Sequence, residues 1–146
     1  GSARQTPTTL PYLLEDQFAY TVDTMALPHA PNIWEGSKLV LAPDLERQDH
    51  DRILNELTYA MVEFGVLYGV TTSIGLMRIG HIERVKAHYG WQIELLGKPH
   101  QIDGHQMVAI ANSYNKHILR IVGEKTGISG SALNLAPSPP ERSIAP

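Results

Sequence analysis

Glu35 is the residue on which chemistry could be built. It stands in Trp34-Glu35-Gly36-Ser37-Lys38, inside a stretch that reads as a mostly buried strand. A carboxylate placed there beside a tryptophan is costly unless it is paired or opens into a polar cleft. Strand alternation puts Glu35 and Ser37 on one side and Trp34 and Lys38 on the other, unless a bulge intervenes. Gly36 would permit a bulge, which re-aims side chains and can free backbone N–H groups for a developing oxyanion. The competing reading is an edge-strand glutamate paired with Lys38 or Arg4. A second constellation is Arg78-Ile79-Gly80-His81, followed by Arg84, Lys86 and His88. It falls at the C-terminal end of a strand and along the next helix, where ligands of open α/β sheets bind. Glu83 opposes three firm positive charges there, so the run reads either as a docking patch for an acidic partner or as a solvated face.

Other chemistries find no support. The chain has seven histidines and no cysteine, which removes thiolate metal sites, cysteine nucleophiles and disulfides. His81 and His88 share a helix face and His100 and His105 flank a hairpin, but no pair has metal-binding helical spacing and no third ligand is suggested. No metal site is expected. Neither GxGxxG nor GxxxxGK[ST] occurs, and no GxSxG elbow is present. Ser37, Ser73 and Ser113 are isolated from any triad spacing.

The elements that must hold these residues are readable from periodicity. A short helix is expected over 13–22, where Leu14, Phe18 and Val22 fall on one face. Residues 32–42 read as a strand. The stretch 44–69 is the clearest helix, with Ile53, Leu54, Leu57, Ala60, Met61, Phe64 and Leu67 at three- and four-residue spacing. Asp49 is its expected N-cap and Gly69 its stop. A strand over 70–77, a helix over 80–89 and a strand over 91–96 follow. Asp103-Gly104 is the preferred pair for a type I′ hairpin turn, leading into a strand over 106–113. A final helix is expected over 115–127. Strands alternating with helices indicate an α/β layered domain with at least one parallel or crossover pair. The expected domain runs over 3–127, with a disordered proline-bearing tail over 128–146 and with Gly1-Ser2 set aside as a cleavage remnant.

Composition bounds the function. With 146 residues the chain is one domain's length and can hold a core without staples. Twelve Lys and Arg against fifteen Asp and Glu give a net charge of −3, unlike the basic excess of a dedicated nucleic-acid binder. No apolar run approaches the roughly 20 residues of a membrane helix. Lack of cysteine fits a reducing compartment, and a cytoplasmic location is expected. No nucleic-acid or membrane partner is expected.

Taken in order, the motifs resemble the acyl-homoserine-lactone synthases, the autoinducer synthesis family of bacterial quorum sensing. Arg4 and Thr6-Pro7-Thr8-Thr9-Leu10-Pro11-Tyr12-Leu13-Leu14 are similar to the family's RLxPTTxPYLL segment, with Phe18 following in register. Trp34-Glu35-Gly36-Ser37-Lys38 resembles WExSR. Ala60-Met61-Val62-Glu63-Phe64-Gly65, Ile82-Glu83-Arg84 (like MER), Gly90-Trp91 and the Gly97…Ile102-Asp103-Gly104 hairpin complete the series over 3–127, about 85% of the chain. The resemblance implies a GNAT-like fold: a twisted mixed sheet flanked by helices, with a V-shaped opening between the strands 32–42 and 70–77. It implies no permanently bound cofactor. The substrates would be S-adenosylmethionine and an acyl thioester of acyl-carrier protein or CoA. The amine attacks the thioester, and the methionine carboxylate then closes the lactone and expels methylthioadenosine. Glu35 would be the catalytic proton acceptor. Arg4, Phe18, Trp34 and Lys38 would contact S-adenosylmethionine, Ser37, Ile74, Leu76 and Arg78 would line the acyl channel, and Arg84 and Lys86 would dock the carrier protein.

The chain departs from the family pattern in three ways. It resembles the C-terminal two-thirds, so the N-terminal segment that would close over S-adenosylmethionine is missing from the match. A sheet edge is then expected to lie open, where a homodimer could form. Lys38 stands where the family has arginine, keeping the charge without the planar fork, and Leu39 replaces an aromatic. Leu76 and Arg78 stand roughly where the family has small hydroxyl residues, so the acyl channel would be shortened or redirected. Two other readings stay open: a non-catalytic module that binds acyl groups or carrier protein, and a GNAT-like acyltransferase acting on another amine. For CoA, the glycine-rich loop that usually grips the pyrophosphate is absent from 42–50.

Overall fold

The computed structural model describes residues 1–135; the outer part of the expected tail, 136–146, lies outside the described residues. Six strands, β1 (Ser2–Pro7), β2 (Ile33–Val40), β3 (Thr72–Arg78), β4 (Ile93–Leu95), β5 (His100–Ile102) and β6 (His105–Ser113), form one sheet. Four helices accompany them: α1 (Leu13–Phe18), α2 (Arg47–Leu67), α3 (Ile82–Tyr89) and α4 (Lys116–Thr126). The sheet order is β1-β2-β3-β6-β4, with β5 also pairing β6. Only the β2–β3 pair is parallel among these ladders. The mixed α/β architecture with one parallel pair is the one the pattern predicts.

The longest helix follows its apolar periodicity, but it starts at Arg47 with Glu46 in the cap position and no side-chain cap bond, rather than at Asp49. α3 and α4 end at Gly90 and Gly127, both in the left-handed conformation. Asn115 caps α4, its side chain accepting from the Ile118 N–H at 2.8 Å. Asp103 and Gly104 both take positive φ, 48° and 78°, as a type I′ turn requires.

β1 is the strand that periodicity does not announce. Its residues are mostly polar, and it ends at a proline. Its first residue, Ser2, pairs with Val40 of β2. β1 pairs with β2 alone, so its outer edge has no ladder partner among the described residues.

Apolar side chains divide between the two faces. On one, Tyr59 and Val62 of α2 meet Val70, Tyr89, Tyr114, Ile118 and Val122. On the other, Tyr12 and Leu14 meet Ile74, Leu96 and Ala109. β2 alternates between them: Ile33 packs with the second cluster and Trp34 with the first. From the C-terminal segment, Ile128 packs on the helix-side core, and Gly130 C=O accepts from the Tyr59 hydroxyl at 2.8 Å. Residues 128–135 carry no helix or strand.

The parallel pair is short. Ile33, Trp34 and Glu35 face Thr72, Ser73 and Ile74, and the pairing ends there, so the strands part immediately after Glu35. Just at that fork a Cβ on Gly75 would lie 2.6 Å from the Gly36 carbonyl oxygen. Only glycine lets β3 pass so close to the β2 backbone. Gly75→Ala is therefore expected to lower stability by about 1–3 kcal/mol, read as a fall in the urea midpoint. An unchanged midpoint would show that the strands separate freely.

Candidate active site

Glu35 is 3% exposed. Its carboxylate reaches across to the start of α1, accepting from the Leu13 N–H at 2.7 Å and the Leu14 N–H at 3.0 Å. α1 has Tyr12 in the cap position with no side-chain cap bond, so a glutamate from a distant strand satisfies the two leading N–H groups that a helix start leaves open. This also decides how the buried charge is met. Among the described residues Glu35 makes no ion pair with Lys38 or Arg4; it is held by backbone amides. Burial pushes its carboxyl above the usual value and the Asp16 charge adds to this, while the two amides and Arg4 pull the other way. The net direction is upward, toward a better proton acceptor at neutral pH.

β2 is bulged next to this residue. Arg4 faces Ser37 but Ser2 faces Val40, so β2 carries an extra residue between them, and Lys38 takes φ 52°. The bulge that Gly36 would permit thus lies two positions further on, at Lys38.

On the helix side of the same fork lies a polar chain that sequence reading misses. The Tyr114 hydroxyl is hydrogen-bonded with Ser73 and accepts from Gln5 Nε2 at 3.4 Å. Burial raises the Tyr114 value, keeping it a neutral phenol. Gln5 and Tyr114 are separated by 109 positions, and no local pattern links them. Tyr114→Phe is expected to cost about 1 kcal/mol, measured by chemical denaturation; no loss would mean the chain is not a support of the fork.

Beyond the fork a cleft of about 1040 Å³ opens between the diverged strands and the helices. Leu39 and Leu41 line it from one side, and Leu76, Met77 and Arg78 of β3 from the other. Arg47, His50, Asp51, Leu54, Asn55 and Thr58 form the α2 wall, a single helical stripe. His81, in the turn just before α3, and Arg84, Val85, His88 and Tyr89 of α3 form the facing wall, so the two histidines do share this wall. Asp51 is the one carboxylate among these lining residues, against Arg47, Arg78 and Arg84. His81 is held below its usual value by burial and by the neighbouring Arg84, Arg78 and His105.

Residues 1–117 match a family model described as autoinducer synthase. The chain belongs to the autoinducer synthase family. It is 29% identical over 116 residues to an acyl-homoserine-lactone synthase of Acinetobacter baumannii, covering 75% of this chain and 62% of that one. It is 27% identical over 111 residues to an acyl-homoserine-lactone synthase of Pseudomonas aeruginosa, covering 76% and 52%. The chain thus spans between about half and three-fifths of the length of these relatives. Among solved structures, BjaI, a CoA-dependent acyl-homoserine lactone synthase solved with MTA, superposes with a TM-score of 0.77 at 22% identity, covering 88% of this chain and 59% of that one. The fold is that of the autoinducer synthases, GNAT-like, with the parallel pair splayed as expected.

Within this autoinducer synthase fold the residues singled out in the sequence fall into two groups. Arg4 and Ser37 lie near Glu35: Arg4 pairs with Ser37 across β1–β2 and acts on the Glu35 charge; half-buried Phe18 packs with the α1-side core. Lys38 is exposed at the bulge. Ile74 is buried in the α1-side core, opposite Glu35 in register. Leu76, Arg78 and Arg84 line the cleft. Two residues sit apart from both groups. Trp34 faces the helices, its ring edge-on to Phe64 at 5.8 Å and its indole N–H donating to the Pro31 carbonyl at 2.8 Å. Lys86 pairs with Glu83 at 3.3 Å on the exposed side of α3. Glu35 does not itself line the cleft: its carboxylate turns to the start of α1.

Proposed function

We propose that this chain makes an acyl-homoserine lactone from S-adenosylmethionine and an acyl thioester, with Glu35 as the proton acceptor. The observation that carries the reading is the Glu35 carboxylate, buried, raised and fixed by two backbone amides where β2 and β3 part. The amine nitrogen attacks the thioester carbonyl carbon and its proton passes to Glu35, directly or through water. The C–S bond of the donor then breaks, the thiolate leaves and is protonated. The methionine carboxylate next attacks the carbon bonded to the sulfonium, closing the lactone and releasing methylthioadenosine. Beyond Glu35 the β2 backbone is free of the ladder with β3, which leaves amides to meet the developing oxyanion. In this reading Arg4, Phe18 and Lys38 contact S-adenosylmethionine, and Trp34 supports β2 from behind.

The cleft takes the acyl group between Leu39, Leu41, Leu76 and Met77. Arg78 and Arg84 at this cleft meet the anionic arm that carrier protein and CoA share, and Lys86 adds charge for a carrier protein. The test is turnover. The chain is incubated with S-adenosylmethionine and a panel of acyl-carrier-protein and acyl-CoA thioesters, and products are read by mass spectrometry. Lactone and methylthioadenosine together support the proposal, and the donor that yields them names the thioester; donor binding without either product sinks it in favour of a second reading. That second reading, an acyl-donor binding module, is favoured by the exposure of Arg4 and Lys38, two of the residues assigned to S-adenosylmethionine. The unpaired edge of β1 is where a second copy would add, giving twice the 16.2 kDa chain mass in light scattering; a monomer mass at all concentrations removes that assembly.

A further inference from the structure

The seam where α2 meets α3 closes one side of the cleft, and its chemistry differs from the apolar walls near the sheet. Asn55 Oδ1 accepts from His88 Nε2 at 2.9 Å and from the Tyr89 hydroxyl at 3.1 Å. Tyr89 is buried and hydrogen-bonded with Thr58. Its ring packs against His88 and Trp91. All five of these residues line the cleft. The carbonyl oxygen of Asn55 is thereby used twice, and Asn55 Nδ2 has no hydrogen-bond partner among the described residues. Trp91 adds a second unmet donor: its Nε1 is buried without any partner. A buried donor lacking an acceptor, as at Trp91, is uncommon and asks what completes it, while the Asn55 amide N–H is not buried and meets solvent. Both groups here are N–H donors, so what completes them is an acceptor.

We propose that this seam recognises an oxygen acceptor, a hydroxyl or carbonyl, at the distal end of the acyl group. The inference rests on the acyl-donor reading of the cleft and names the class of acyl chain it selects. An acyl carbon at the fork places its chain first against Leu39, Leu76 and Met77, then against Leu54 and Val85, and last against the seam. A chain ending in a methyl there strips water from the Asn55 amide and returns no hydrogen bond. A chain ending in oxygen meets the amide, and the indole N–H gains its acceptor. The bond between His88 and Asn55 fixes the amide so that its NH₂ is the group left over.

The experiment is calorimetric titration of the chain with paired S-acyl-pantetheines of four to ten carbons, each length supplied with a methyl end and with a hydroxyl end. At the length that reaches the seam, the hydroxyl-ended thioester should bind on the order of tenfold tighter. Asn55→Leu should reduce that preference to within about twofold, and Trp91→Phe should reduce it in the same direction. The second variant keeps the test open should Asn55→Leu fail to fold. A seam that only ties α2 to α3 would lower the melting temperature in both variants and leave the preference unchanged, which overturns the inference. Equal affinity for both ends at every length overturns it too, with the acyl-donor reading intact. No binding of any thioester brings down that reading and the inference together.

Discussion

Glu35→Gln is expected to lower kcat/KM for lactone formation by about 10²–10⁴-fold, with little change in fold. Glutamine keeps the length of the side chain and one acceptor oxygen for the start of α1, but it cannot take a proton. The amine of S-adenosylmethionine is an ammonium over much of the neutral range and cannot attack until it loses one. Burial is the leading reason the Glu35 carboxyl sits above its ordinary value, and the Asp16 charge reinforces it against the Leu13 and Leu14 amides and Arg4. The sign follows: the reactive carboxylate appears at higher pH than for a free glutamate, about 4.3. kcat/KM should rise with pH along an acid limb that lies above that reference. The limb should be absent in the glutamine variant, whose residual rate stays flat across the same range. A variant with wild-type kcat/KM, or one that retains the acid limb, would sink the assignment; circular dichroism of both proteins separates lost chemistry from lost structure.

Elements with strong local signatures are legible in the amino-acid sequence. α2 announces itself because its apolar residues repeat at three- and four-residue spacing from Ile53 to Leu67, and the β5–β6 turn because Asp103-Gly104 accepts two positive φ angles that few pairs tolerate. β1 is not legible, since Ser2, Arg4 and Gln5 are polar and its ladder partner β2 lies more than thirty positions away in most of its pairs. The start of α2 differs from its expected place for a related reason: Asp49 has a capping side chain, yet the helix begins without one and its first turn includes that residue. Glu35 stands out as an expensive carboxylate in a strand. What relieves it does not, because the relief comes from N–H groups, which leave no trace in residue type. The two charged side chains that residue type suggests as partners, Lys38 and Arg4, act at most through their field. The cleft shows the same limit. His81 and His88 are readable as sharing a face, but that Asn55 from another helix meets His88 follows only from the packing of α2 on α3.

Glu35→Ala is expected to cost about 2–4 kcal/mol of stability, because two backbone donors lose their acceptor in a site closed to water. α1 has six residues and no cap of its own, and so short a helix does not persist without tertiary support. Amide hydrogen exchange should therefore accelerate first across Leu13–Phe18, ahead of α2 and α4. The pH dependence of the cost carries more information than its size. A carboxyl whose folded value is raised binds its proton more tightly in the folded state than in the unfolded one. Its stabilisation is full below about 4.3 and is lost as pH rises through the folded value. The gap in stability between the parent chain and Glu35→Ala should thus be widest in acid and should narrow toward neutral pH. A gap that widens instead would mean that the Leu13 and Leu14 amides outweigh burial and hold the carboxyl below its ordinary value. Such a group caps a helix well but accepts a proton poorly. One denaturation series across pH, on the chain and a single variant, therefore bears on the fold at the fork and on whether Glu35 can serve as a base.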